Sequence, residues 1–171
     1  MDKETFYNKV VVFSDQLYRM AKSILLDEEA AKDSVQDLYL KLWEKRTELN
    51  EIENLSAFAM KIMRNICLDK LRKKRETNVE MQDYSSLQNP VSLHEIIEQK
   101  DMTKIIKQYI NQLPELQKTA VRLRDVEGCE IKEIAYITSS SENAVMANLS
   151  RARQKIREYL VKLQVETIKI Q

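Results

Sequence analysis

The sequence predicts an all-α protein built as two small helical domains joined by a flexible linker. Three observations carry that expectation. Apolar residues recur at three- and four-residue steps over most of the 171 residues, the repeat of helices buried on one side. One Gly and two Pro leave few turns of the kind sheets need. Between the periodic halves, ETNVEMQDYSSLQNPVSLHEIIEQK (76–100) is polar and acidic, and Pro90 disfavours helix through its first part.

Composition narrows the class. A hydrophobic content of 43% beside 32% charged residues is that of a globular chain rather than a disordered one. A net charge of +1, evenly spread, would argue against nucleic acid, but the charge is not evenly spread. Acidic residues crowd 27–37 and 76–101, whereas Lys and Arg crowd 61–75 and 151–157. Local fields, not the total, decide binding to phosphate. Cys67 and Cys129 lie far apart, without a second Cys or His at metal-ligand spacing, so buried reduced thiols are expected and neither zinc nor a disulfide is. No nucleophile–base set or phosphate-cradling Gly loop appears, which argues against an enzyme, and no cofactor is expected. The start MDKETFYNKV lacks a signal-peptide apolar core, and no apolar run nears the roughly 20 residues of a membrane span, so a cytoplasmic protein without membrane insertion is expected.

In chain order, Phe6, Val10, Phe13, Leu17, Ala21 and Ile24 mark a first amphipathic helix. Asp27-Glu28-Glu29 breaks it and suits the positive end of the next helix dipole. That helix has Ala31, Val35, Leu38, Leu42 and Trp43 on its apolar side and Asp33, Gln36, Asp37, Lys41 and Glu44 on the other. RTELNEIEN (46–54) loses periodicity and reads as a loop. A third helix starts near Leu55 with Asn54 or Ser56 as cap, burying Phe58, Ala59, Ile62, Met63, Ile66 and Cys67. Its other half carries Lys61, Arg64, Asn65, Leu68 and Arg72. From Lys61 to Arg75, seven basic residues face Asp69 alone, a density that favours phosphate contact but also fits a solvated helix end. After a linker to about Val91, a lead-in helix takes Leu93, Ile96 and Ile97 and continues through Met102, Ile105, Ile106, Tyr109, Ile110 and Leu113, with His94 facing solvent.

The last third is the most informative. LPELQKTAVRLRDVEGCEIKEIAYITSSSENAVMANLSRARQKIREYL (113–160) reads as a helix, a short helix from about Ile131, a polar turn, and a long helix capped by Ser141 or Ser140. At about 3.6 residues per turn, Val145, Leu149, Ala152, Ile156, Tyr159 and Leu160 form one apolar seam. Asn143, Ala147, Ser150, Arg151 and Gln154 fall opposite, with Arg153, Lys155 and Arg157 on the flanks and further end. That is the pattern of a helix-turn-helix whose last helix can enter a major groove, although an ordinary amphipathic helix packed on its neighbour shows it too. The tail VKLQVETIKIQ suits either a helix end or a small docking strand.

This segment resembles region 4 of bacterial sigma-70-family factors, the extracytoplasmic-function type in particular, with LSRARQKIREYL its most specific stretch. Two departures stand out. Ser139 and Ser140 replace the usual Gly and aliphatic residue of the turn, and Met146 and Asn148 stand where basic residues are usual, so contacts at 146 and 148 are not carried over. SVQDLYLKLWEKR and ENLSAFAMKIMRNICLDKLRKKR resemble region 2 of the same factors. The resemblance implies a region 2 helical bundle (1–75), a linker (76–101) and a region 4 helix-turn-helix domain (102–171). It implies a transcription initiation factor that binds core RNA polymerase and directs it to −10 and −35 promoter DNA. Asp33, Gln36, Asp37, Leu40 and Trp43 would dock on the β′ clamp helices, the polar three foremost, and the β flap would be a further contact. Lys61, Arg64, Asn65, Asp69, Arg72 and Lys73 would face the −10 element, with the 48–55 loop receiving a flipped base. Ser141, Asn143, Ser150, Arg151, Arg153 and Lys155 would serve the −35 element. An anti-sigma partner is a family expectation. Two rivals stay open: a stand-alone helix-turn-helix regulator that works without polymerase, and a helical adaptor that sequesters a partner without touching DNA.

Overall fold

The computed structural model describes residues 2–78 and 102–170, and among these there is no strand. The linker beyond Asn78, His94 and the lead-in residues Leu93, Ile96 and Ile97 lie outside the described residues. The chain divides into two compact units; one holds the amino-terminal helices together with 132–140, the other the remaining carboxy-terminal residues.

In the first unit, α1 (Lys3–Val10), α2 (Ser14–Leu25), α3 (Glu28–Glu44) and α4 (Leu55–Asn78) follow one another. The single first helix expected from periodicity is broken: Val11–Phe13 tighten into a 3-10 turn, and the Ser14 hydroxyl donates back to the Val11 carbonyl at 2.5 Å. A serine offering the backbone an alternative bond is a common reason for such a break. α2 ends on Leu26 in the left-handed region, its N–H donating to the Lys22 carbonyl. Asp27 then caps α3 by accepting from the Ala30 N–H at 3.0 Å, with Glu28 and Glu29 in the first turn. α2, α3 and α4 pack mutually, and α1 lies on α4. Leu17, Leu38, Leu42, Met60 and Met63 form the centre of the core. The expected loop after α3 contains a 3-10 turn (Glu48–Glu51) pinned by buried Leu49, and Asn54, not Ser56, caps α4 through the Ala57 N–H at 2.9 Å.

Residues 131–138 form α7, taken up below with the turn that follows it. In the second unit, α5 (Met102–Gln112), α6 (Glu115–Val121) and α8 (Glu142–Ile170) pack around Leu113, Val121, Leu123, Val145, Leu149 and Ala152. Tyr109 of α5 stacks parallel on Tyr159 of α8 with centroids 4.0 Å apart. α6 runs into a π-helical turn, Arg122–Val126, which closes through the Cys129 N–H donating to the Leu123 carbonyl, with Gly128 at φ +73°. The tail continues α8 as helix to Ile170, which resolves the choice between helix end and strand.

Candidate nucleic-acid interface

Two short helices and one turn present the region 113–160. α7 buries Ile134, Ile137 and Thr138. It ends in a Schellman arrangement: Ser139 is left-handed (φ 52°), its N–H donates to the Tyr136 carbonyl at 3.3 Å, and the Ser140 N–H donates to the Ala135 carbonyl at 3.0 Å. The Thr138 hydroxyl donates to the Ile134 carbonyl at 2.7 Å and shares a 2.6 Å bond with the Ser140 hydroxyl. Ser141, not Ser140, caps α8 by accepting from the Ala144 N–H at 3.2 Å.

On α8 the seam is as the repeat predicts: Val145, Leu149 and Ala152 are buried and Ile156, Tyr159 and Leu160 half-buried, and buried Leu163 extends it. Asn143, Ser150, Arg151 and Gln154 are exposed along the opposite side. The flanking cations differ from Arg151. Arg153 makes a bidentate pair with Asp125, at 2.5 Å and 3.2 Å, which raises the guanidinium pKa still further. Lys155, half-buried, donates to the side-chain Oε1 of buried Gln117 at 3.0 Å. Asp125 and Gln117 were not legible as site residues, since no spacing in the sequence ties them to α8. Beside Arg153 runs a cleft whose polar lining is Arg124, Ser150, Gln154 and Arg157. Met146 contributes to it, half exposed, while Asn148 turns its amide back onto the Ala144 carbonyl at 2.9 Å.

The first unit carries two further surfaces. On α4, Asn65, Asp69, Arg72 and Lys73 are exposed, and Lys61 and Arg64 are half-buried. Arg72 pairs with Asp69 at 2.9 Å, and the Arg64 Nε is buried without a hydrogen-bond partner. Phe58, expected in the core, is only half-buried. On α3, Asp33 and Gln36 are exposed, and Asp37 binds Lys70 at 2.8 Å. The sequence placed Trp43 on the apolar side; it is instead 36% exposed, edge-on to Phe6 and covered on one face by the Arg46 guanidinium, while Leu40 is 64% exposed. Ser34 takes an interior place instead, possible because its hydroxyl bonds the Ala30 carbonyl at 2.7 Å.

Comparison with known proteins decides what these surfaces belong to. Residues 11–77 match the family described as Sigma-70 region 2, and residues 103–156 match Sigma-70, region 4. The chain is a sigma-70-family factor of the extracytoplasmic-function type. It is 19% identical to the ECF RNA polymerase sigma factor SigW of Bacillus subtilis, over 93% of this chain and 90% of that one. It is 28% identical to the RNA polymerase sigma factor SigV of the same organism, over 85% of this chain and 84% of that one. Among solved structures, the sigma factor RpoE in complex with the anti-sigma factor NepR from Bartonella quintana shares the fold: TM-score 0.73 at 22% identity, covering 92% of this chain and 97% of that one. A sigma factor is a transcription initiation factor, and this one directs RNA polymerase to promoter DNA. No helix among the described residues is long and apolar enough to cross a membrane.

Proposed function

We propose a division of labour between the two sigma regions, over the domains 1–75 and 102–171 expected from the sequence. Region 2 holds core polymerase and opens the −10 element; region 4 reads the −35 element by laying α8 in the major groove. The observation that carries the second half is the exposed row Asn143, Ser150 and Arg151 opposite the buried seam of α8, begun by the Ser141 cap. A helix about 10–12 Å across fills a major groove about 12 Å wide, so the centre of its outer face meets base edges and its flanks meet phosphates. Asn143 and Ser150 occupy the centre and Arg151 one flank; Arg153 and Lys155 reach phosphate by exchanging Asp125 and Gln117 for it.

Asp33, Gln36, Asp37, Leu40 and Trp43 form the proposed polymerase-docking patch, aimed at the β′ clamp helices. Exposed Leu40 adds apolar surface to it, and Trp43 is an aromatic anchor of the kind that dominates binding hot spots. Lys61, Arg64, Asn65, Asp69, Arg72 and Lys73 line the proposed −10 surface, with the 48–55 loop offering polar rather than stacking contacts to a flipped base. Contact of region 4 with the β flap is part of the same proposal. An anti-sigma partner is proposed as well, supported by a fold neighbour solved with one, RpoE with the anti-sigma factor NepR. Two weak DNA sites on one tether reinforce each other by effective concentration, so neither region alone binds promoter well.

Run-off transcription with core polymerase, with and without the chain, tests the whole: new start sites are expected, and their absence refutes it. For α8, Arg151→Ala should lower −35 duplex affinity and reduce the salt slope by about one unit. Unchanged binding at moderate salt would refute the placement of α8.

A further inference from the structure

Among the described residues, Arg153 is the one guanidinium on α8 held by both Nε and Nη2 on a single carboxylate, and that carboxylate lies outside the helix. Asp125 sits in the π-helical turn after α6, 28 positions earlier in the chain. The pair is not a core contact: the two side chains are 52% and 39% exposed. It therefore adds little to stability, since exposed ion pairs contribute modestly. A bidentate carboxylate presents two oxygens in the same fork geometry as a phosphate. Asp125 thus occupies on Arg153 the place a DNA phosphate would take. The adjoining cleft brings Arg124 and Arg157 alongside, with Ser150 and Gln154, and among the described residues no carboxylate lines it. Arg124 spends one nitrogen on the Cys129 carbonyl at 2.8 Å, which fixes its place at the cleft edge.

We propose that Asp125 tunes the DNA affinity of region 4: by holding Arg153 it competes with DNA phosphate for that side chain, and so lowers binding of region 4 to duplex DNA, promoter and non-promoter alike. The inference rests on the placement of α8 in the groove proposed above. When α8 is seated by correct contacts along its outer face, the cleft flank is brought to a phosphate, and Arg153 exchanges one acceptor for the other with little net change. On unrelated DNA, seating is incomplete and Asp125 keeps the arginine. Releasing Arg153 should therefore strengthen both: the promoter complex no longer gives up the ion pair, and the non-promoter complex gains a phosphate contact.

The test measures binding of the full chain to a −35-containing duplex and to a scrambled duplex between 50 and 200 mM salt. Asp125→Asn keeps the shape of the side chain and removes its charge. It should raise affinity for the scrambled duplex about three- to tenfold at the lowest salt and steepen its salt slope by about 0.9, so that the gain shrinks about 3.5-fold across this range. Affinity for the −35 duplex should rise at least as much, with its slope unchanged, because Arg153 already meets a phosphate there. Asp125→Glu should stay near wild type, and Arg153→Gln added to Asp125→Asn should return the slope to its starting value. Glu158→Gln, which removes an exposed charge from α8 without releasing an arginine, should leave the slope alone. If Asp125→Asn lowers both affinities without steepening the slope, or if Glu158→Gln reproduces its effect, the proposal is overturned. Arg151→Ala measured alongside separates the two failures: if it too is silent, α8 does not meet DNA, whereas a loss there with a silent Asp125→Asn sinks only the competition.

Discussion

Ser139→Gly should stabilise the protein, and the size of the effect follows from the turn. Ser139 is the left-handed residue of the Schellman arrangement that ends α7, at φ 52°, and its side chain is exposed. A residue with a Cβ costs about 1–2 kcal/mol in that region, a cost glycine escapes. Glycine returns part of the gain, about 0.5–1 kcal/mol, through the greater freedom of its unfolded chain. The difference leaves about 0.5–1 kcal/mol in favour of the variant. Both backbone bonds of the turn, from Ser139 to Tyr136 and from Ser140 to Ala135, use main-chain atoms and survive the change. In a chain of this length such a gain raises Tm by about 1–4 °C. Thermal unfolding of the full chain followed by far-ultraviolet circular dichroism measures it, with Ser139→Ala as the control that keeps the Cβ and should gain nothing. A Gly variant no more stable than the Ala variant would show that Ser139 is not strained, and the argument from φ would fail.

Two further outcomes can be checked by the same methods. Arg122 is more than half buried, burial lowers its pKa against the raising influence of Glu115 and Glu127, and its Nε lacks a partner while Nη2 binds Asn111 at 2.6 Å. Arg122→Met should accordingly cost less than about 1 kcal/mol or stabilise, whereas Asn111→Ala, which leaves the cation short of an acceptor, should cost about 1–3 kcal/mol in urea unfolding; the reverse order would contradict this reading. The hydrogen bond from Lys22 holds the Glu28 carboxyl below its ordinary 4.5, so the unfolded chain takes up that proton first as pH falls. The pair's contribution is complete well above pH 4.5 and is lost progressively as the pH falls from there through the lowered folded value, so the Tm deficit of Glu28→Gln at pH 7 should shrink steadily on acidification.

What could be read in the sequence divides along a physical line. Helical repeat reports which side of a helix leaves water, so the α8 seam and the start of α7 at Ile131 were legible, and the caps Asn54 and Ser141 were each narrowed to two candidates. Repeat does not report what a flank touches. The partners of Arg153 and Lys155 are 28 and 38 positions away, and no local pattern names them. Nor does it weigh a hydroxyl that satisfies itself on its own helix, which is how Ser34 came to be interior while Trp43, on the same helix, stayed at the surface. The break after Val10 escaped for a related reason: the apolar spacing runs straight through it, and only the Ser14 hydroxyl marks the change of turn.

The pairing of the α8 flanks bears on how a protein of net charge +1 selects promoters at all. Each free cation that meets a phosphate adds about 0.9 to the salt slope whatever the sequence, and non-promoter DNA outnumbers promoters by orders of magnitude. A reading helix with every cation free would therefore gain affinity chiefly where it is not wanted. With α8 placed in the groove as proposed, tying Arg153 and Lys155 to acidic or neutral partners would weaken region 4 on any DNA. On the proposed reading, the tether to region 2 restores affinity only where both elements are present at the right separation. Selectivity then comes from coincidence of two weak contacts rather than from the strength of either.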